Sequence, residues 1–152
     1  LIKQYLKLSD PIFSLKIVGE GPLLKYLIDK YQTQKVKFLG EVSNDEVQKL
    51  MISSIAIVSA TKLLEGQPTL LCEASMLGKA SIFPNTEGIS EFFPPETKLS
   101  FQQYNYDNLF EKLKMLSQDD LLELEGKNNK KFISKKLNNE ALIINFEKII
   151  NE

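Results

Sequence analysis

The chain has 152 residues, of which 43% are apolar and 26% charged, with a formal net charge of −1. That describes one globular domain able to bury a core of its own, with no apolar run long enough to span a bilayer and no bulk electrostatic basis for binding nucleic acid. Histidine and arginine are both absent, so all 19 cations are lysines, and imidazole acid–base chemistry, histidine metal ligation and bidentate guanidinium recognition of phosphate are excluded together. The single cysteine, Cys72, excludes an internal disulfide and fits a reducing compartment.

In chain order, Leu1, Ile2, Tyr5, Leu6 and Leu8 fit an amphipathic helix that Asp10-Pro11 ends. Ser14–Val18 reads as a strand running into Gly19-Glu20-Gly21-Pro22, and Leu23, Leu24, Leu27 and Tyr31 mark the helix that follows. Val36–Leu39 is a second strand, closed by Gly40. Ser43 or Asn44 caps the next helix, whose Val47, Leu50 and Met51 face inward. Ser54–Ala60 reads as a buried strand, and Pro68 suits the first position of a helix over 68–77 that Gly78 stops. A strand over Ala80–Phe83, a short helix near Ile89–Phe93 and a strand around Lys98–Phe101 come next. Helical segments at roughly 106–116, 118–135 and 138–150 close the chain. Strands alternating with helices predict an α/β domain, a doubly wound, Rossmann-like parallel sheet covered on both faces, with residues 1–152 as a single unit.

The stretch EGQPTLLCE, Glu65–Glu73, carries the most chemistry. It places one carboxylate in the loop before a helix and a second more than a turn inside it. With Leu70, Leu71, Ala74 and Leu77 at helical spacing, Glu73 is expected to border a buried stripe, where a carboxylate needs donated hydrogen bonds. Sugar hydroxyls are suitable donors. At ~1.5 Å of rise per residue, Glu73 lies about 7 Å along the axis from Pro68. Other readings stand beside this one: a solvated loop charge at Glu65, a Glu73–Lys79 ion pair, or paired carboxylates of a hydrolase, which the helical offset disfavours. Gly19-Glu20-Gly21-Pro22 opens a helix at a strand end. Gly19 and Gly21 there admit an anion to backbone N–H groups or simply make a turn, and the turn is the plainer reading.

The segment EGQPTLLCEASMLGKASIFPNTEGISE, with the Gly-Glu-Gly-Pro turn upstream of it, resembles the two-glutamate signature of retaining, GT-B-fold glycosyltransferases, the glycosyltransferase group 1 family. The resemblance runs through nearly the whole chain and implies the C-terminal, nucleotide-sugar-binding half of such an enzyme. The acceptor-binding N-terminal half, and an Arg and a Lys that neutralise the donor diphosphate, are then expected outside residues 1–152. By the same resemblance Glu65 meets hydroxyls of the transferred sugar as the catalytic-site carboxylate, and Glu73 meets the ribose diol. The amides of Thr69 and Leu70 receive the diphosphate, Gly66 and Gln67 shape the approach, and Gly19 and Gly21 line the pocket. The loop Glu41-Val42-Ser43-Asn44 matches the place where relatives hold the base, so Val42 and Asn44 join the expected donor site. Pro68 stands where the family often has glycine, which removes one donor.

The implied substrate is a nucleotide-sugar donor, with the acceptor unspecified, no metal site and no cofactor, in polysaccharide or glycolipid biosynthesis at a cytoplasmic location. Lys62 and Lys79 are the cations nearest the motif in sequence. Lys127, Lys130, Lys131, Lys135 and Lys136 read first as a solvated helix face and second as a peripheral contact with anionic lipid, as in some relatives. A noncatalytic nucleotide-binding or interaction module on the same scaffold is the alternative, and a GT-B-fold sugar epimerase fits the glutamate spacing less well. Cys72 reads as a packing residue whose thiolate Glu73 disfavours. In a sheet of order 3-2-1-4-5-6, Ser14–Val18 and Ser54–Ala60 become the second and fourth strands. They are then expected to stand about 9–10 Å apart, twice the normal strand spacing, with the first strand's place between them and no direct ladder from Ile17 to Ile55–Ile57.

Overall fold

A computed structural model describes residues 1–138. The expected helix over 138–150 therefore lies almost wholly outside the described residues. The elements are α1 (Ile2–Tyr5), β1 (Leu15–Val18), α2 (Leu24–Tyr31), β2 (Val36–Gly40), α3 (Asn44–Ser53), β3 (Ala56–Val58), α4 (Thr69–Met76), β4 (Ala80–Pro84), β5 (Ser100–Phe101), α5 (Tyr106–Lys114) and α6 (Asp119–Lys136). Single 3-10 turns sit at Ser90–Phe92 and Met115–Ser117. Only the first helix is much shorter than expected: the chain leaves helical geometry after Tyr5, and Asp10 takes a positive φ of 46° ahead of Pro11. There the Tyr5 hydroxyl donates to the Phe13 carbonyl at 2.7 Å, and Asp10 pairs with Lys35.

All strand pairings are parallel. β1 pairs with β2, and β3 pairs with β4, which in turn pairs with β5. Among the described residues no pairing joins β1 to β3, so the strands form two sheets, β2-β1 and β3-β4-β5. The Ile17 to Ile55–Ile57 ladder that would have contradicted the expected order is absent among these pairings.

β4 is the centre of the fold, with all five of its residues buried. Its side chains alternate between faces, and each face has a cluster of its own. Ala80 and Ile82 pack with Leu109 and Leu113 of α5, and with Tyr5 and Leu99. Phe83 packs on the opposite face with Leu71 of α4, Ile89 and Phe93, its ring stacked on Phe93 at 3.9 Å. Helices on both faces are what a parallel sheet requires, and the doubly wound expectation holds. β3 is the exception to the expected burial: its three residues are only half-buried, because one of its two edges has no neighbouring strand.

The turn after α4 sets how closely α6 packs. Gly78 has φ +71°, and the amides of Gly78 and Lys79 donate to the Ser75 and Ala74 carbonyls at 2.9 Å each, a left-handed helix stop. Gly126 of α6 lies directly against that stop: a Cβ built on Gly126 falls 2.1 Å from the Gly78 carbonyl oxygen. One residue earlier, buried Glu125 receives the Thr97 hydroxyl at 2.6 Å and the Lys98 amide at 3.1 Å, fastening α6 to the segment entering β5. Helix propensity alone predicts that Gly126→Ala stabilises the chain by about 1 kcal/mol. Against the backbone clash, the expected outcome is a net loss of about 2–4 kcal/mol, read as a lower urea midpoint. An unchanged or raised midpoint would show that the two elements separate freely.

Candidate functional site

In a parallel sheet the loops after every strand leave from the same edge, and ligands of doubly wound domains bind there. In the β2-β1 sheet that edge carries the loop 19–23 after β1 and the loop 41–43 after β2, with Gly19, Gly21, Val42 and Asn44; in the β3-β4-β5 sheet it carries the long loop 59–68 and the loop 85–89, with Glu65, Gly66, Gln67 and the start of α4. Val18, Val47 and Leu70 line one cleft between the two sheets. Ser43, not Asn44, caps α3, accepting the Glu46 amide at 3.3 Å. Asn44 is the first helical residue and is exposed, while Val42 is half-buried.

Glu65 is half-buried, and the loop after β4 holds its backbone in place. Gly88, at φ +86°, packs so tightly that a Cβ there would sit 2.0 Å from the Glu65 carbonyl oxygen and 3.4 Å from Gly66 Cα. Gly88 was not singled out from the sequence, since a lone Gly in a polar loop announces only a turn. Its neighbour Ile89 is fully buried in the Phe83–Leu71–Phe93 cluster, which fixes the loop that carries it. Further along, the Tyr104 hydroxyl donates to the Lys62 carbonyl at 3.2 Å, tying the start of the same long loop to the residues after β5.

α4 begins one residue later than expected. Pro68 is its N-cap, with φ −81° and ψ 80°, and is fully buried. The buried face of the helix consists of Leu71, Cys72, Ala74 and Ser75. Leu70 and Leu77, expected in the buried stripe, are 45% and 38% exposed, and Glu73 between them is exposed as well. The buried-stripe placement of Glu73 is thus corrected: α6 and β4 cover the other side of the helix, and the Leu70–Glu73–Leu77 face stays open. A Glu73–Lys79 ion pair is also excluded. The Lys79 ammonium instead donates to the carbonyls of Ile52 and Ser54 at 2.6 and 2.9 Å, anchoring the end of α3 to the entry of β3. Among the described residues neither the Glu65 nor the Glu73 carboxylate has an ion-pair partner in the protein, and the Glu73 backbone carbonyl accepts the Leu77 amide at 3.1 Å.

The amides sort themselves in a similar way. The Gly19 N–H donates to the Gly40 carbonyl at 2.7 Å, linking the loops after β1 and β2, so that glycine makes a structural turn. Thr69 N–H donates to the Gln67 carbonyl at 3.0 Å, and Cys72 N–H to the Pro68 carbonyl at 2.9 Å. Among the described residues, the amides at the start of α4 without a protein acceptor are those of Leu70 and Leu71. Leu71 was not expected to contribute. The signal lay in its place near the helix start, where N–H groups lack a carbonyl one turn back.

The lysine cluster on α6 divides between contacts. Lys127 pairs with Glu123 across one turn, and Lys136 lies 4.9 Å from the centre of the Phe92 ring. No described helix is long and apolar enough to cross a membrane. Burial, and then the neighbouring Glu73 carboxylate, push the Cys72 thiol up, with Lys136 opposing them. A raised thiol keeps its proton to higher pH, so Cys72 is expected to react with a disulfide reagent at pH 8 about tenfold or more slowly than in the urea-unfolded chain. Equal rates would contradict its burial. A second outcome concerns Gly88→Ala, which places a side chain in the left-handed region at a cost of about 1–2 kcal/mol, besides meeting Glu65. A lower urea midpoint and displaced Glu65 and Gly66 amide resonances are expected; unmoved resonances would mean that Gly88 does not hold the loop.

With this geometry in view, the chain was compared with known proteins. A family model described as "Glycosyl transferases group 1" matches residues 1–138. Among curated proteins there is no match. Solved structures share the fold at low identity: TarM superposes with a TM-score of 0.81 at 18% identity, over 99% of this chain and 31% of that one. Sucrose-phosphate synthase from Thermosynechococcus elongatus gives 0.74 at 18% identity, over 91% of this chain and 38% of that one. Anabaena HepE, solved in complex with UDP and glucose, gives 0.79 at 14% identity, over 99% of this chain and 43% of that one. The chain thus spans about a third to two fifths of the length of these structures.

Proposed function

The chain belongs to the glycosyl transferases group 1 family, and on that premise we propose that it binds the nucleotide-sugar donor of a retaining glycosyltransferase. The observation that carries the reading is the pair of carboxylates, Glu65 and Glu73, on either side of the start of α4 with no protein group satisfying either. Glu65 accepts hydrogen bonds from hydroxyls of the transferred sugar. Glu73, on the open face of α4, accepts both hydroxyls of the ribose. Between them the diphosphate meets the start of the helix, where the Leu70 and Leu71 amides are unengaged and the helix dipole favours an anion. Thr69, whose amide turns to Gln67, adds its donor only if that turn opens. In this reading Val42, half-buried in the loop after β2, contacts the base, and Gly21 is exposed, with no heavy atom within 4 Å of a Cβ built there. The UDP and glucose bound to HepE support this substrate class.

In transfer, the bond between the anomeric carbon and the diphosphate oxygen breaks as the bond to the acceptor oxygen forms, and the acceptor's proton leaves with the departing phosphate. Negative charge grows on that phosphate. Fixed amide donors at the helix start stabilise it without reorganisation. Residues 1–152 contain no arginine, so within them lysine is the only side-chain cation that could assist.

A charged hydrogen bond of this kind is worth about 1.5–3 kcal/mol. Glu73→Gln in the complete enzyme is therefore expected to weaken nucleoside-diphosphate binding by about 10- to 150-fold, measured by titration calorimetry with a panel of nucleoside diphosphates, with the urea midpoint unchanged. Because Glu73 is exposed and unpaired, the fold does not depend on it. Unaltered affinity across the panel would remove Glu73 from the donor site.

A further inference from the structure

The residues after β5 form a tight turn whose sequence does not suit its shape. Asn105 N–H donates to the Gln102 carbonyl at 3.0 Å, closing a four-residue turn, and Tyr104 in its third position has φ +65°. A turn with positive φ at that position ordinarily takes glycine or asparagine, because a Cβ in the left-handed region crowds the backbone. The ends of the turn are fixed without help from Tyr104. The Gln102 amide donates to Asn108 Oδ1 at 2.9 Å, and the Asn105 side chain donates to Gln102 Oε1 at 3.2 Å. Asn105 also caps α5, accepting the Asn108 amide at 2.9 Å. Glycine in the third position would make the same turn at lower cost.

Burial does not account for the tyrosine either, since Tyr104 is 60% exposed. Among the described residues its one side-chain hydrogen bond runs from the hydroxyl to the Lys62 carbonyl at 3.2 Å. That carbonyl belongs to a stretch with little other support. Among the described residues, no backbone group from Ala60 to Gly66 takes part in a backbone–backbone hydrogen bond. The Leu63 amide reaches only the Thr61 hydroxyl, at 3.1 Å, and Leu63 and Leu64 are 73% and 83% exposed. Glu65 follows directly, with Gly88 packed against its own carbonyl. A backbone outlier kept against its cost, with its directed contact on the segment that leads into Glu65, points to function rather than to packing.

We propose that Tyr104 is a positioning residue for Glu65. Its hydroxyl holds the Lys62 carbonyl while Gly88 holds Glu65, so both ends of Lys62–Glu65 are fixed and the carboxylate is presented to the sugar of the donor. Tyr104 acts through this loop and not by touching the donor. The proposal rests on the donor-site reading for its substrate and adds to it the residue that keeps Glu65 in place.

Two variants of the complete enzyme separate the hydroxyl from the turn. Tyr104→Phe keeps the ring and removes the donor; Tyr104→Gly removes the donor and relieves the turn. Limited digestion with a lysine-specific protease reports on the loop, because the bond cut after Lys62 carries the carbonyl that Tyr104 holds, and local opening governs cleavage. Cleavage after Lys62, followed by mass spectrometry, is expected to quicken about two- to tenfold in both variants, the worth of one hydrogen bond. Calorimetry with a panel of nucleoside diphosphates and their hexose conjugates reports on the site. Affinity for the conjugates is expected to fall by about two- to tenfold, while the bare nucleoside diphosphates bind as before. Tyr104→Gly is expected to show this loss together with a raised urea midpoint, a combination that a merely structural residue would not produce. Unchanged cleavage after Lys62 in Tyr104→Phe overturns the proposal, and so does faster cleavage with affinity for the conjugates unaltered. Binding of no panel member by the wild-type enzyme overturns the donor-site reading instead, and the digestion then decides whether Tyr104 holds the loop.

Discussion

Every strand of a parallel sheet has two rows of backbone groups to satisfy, and this fold is arranged around where that requirement is met and where it is not. β4 meets it on both edges, against β3 and β5, and has a helix layer on each face. It is accordingly the most deeply buried strand. β1 and β3 meet it on one edge each, and the consequence reaches the side chains: β3 stays half-buried and Val18 is partly exposed. Edge pairing thus decides burial here as much as hydrophobicity does, because Ala56–Val58 is no less apolar than the strand beside it.

The site is built outward from β4. Phe83, on its α4 face, gathers Leu71, Ile89 and Phe93 into a small second core. That cluster fixes two things at once: α4, with the unengaged amides at its start and Glu73 a turn further in, and the loop after β4, which brings Gly88 against the Glu65 backbone. The loop before α4 and the helix itself are therefore positioned by the same few apolar contacts. Lys79 contributes at the far end of the helix by holding the exit of α3 to the entry of β3, a structural use of a cation that stands close to the motif in sequence and away from it in space.

The chemistry available at this edge is acceptor-rich and cation-poor. Two unpaired carboxylates suit hydroxyl donors, and helix-start amides suit phosphate oxygens, a combination that a nucleotide sugar satisfies in a single molecule. Membership of the glycosyl transferases group 1 family accords with this arrangement. The low identities to the superposable structures, 14–18%, mean that they speak for the fold alone.

Much of this was legible in the sequence. Among the described residues, hydrophobic periodicity located the strands within a residue or two and all the helices but the first closely, because apolar spacing and Gly, Pro and Ser punctuation act locally. The order of the strands, with β1 and β3 unpaired, followed from the resemblance carried by Glu65, Glu73 and the turns around them. What periodicity could not decide was which stripe of α4 is buried: Leu70 and Leu77 repeat as regularly as Leu71 and Ser75, and only the placement of α6 and β4 selects one face. Nor could it show that Gly19 spends its amide on Gly40, that Thr69 turns to Gln67, or that Gly88 rests on Glu65. Each of these depends on segments distant in the chain or on a turn geometry that composition does not fix. The sequence alone determined the element types and the residues with chemistry to offer. The tertiary structure decided which of their groups remain free to use it, because a donor or carboxylate is available to a ligand only where packing leaves it without a partner in the protein.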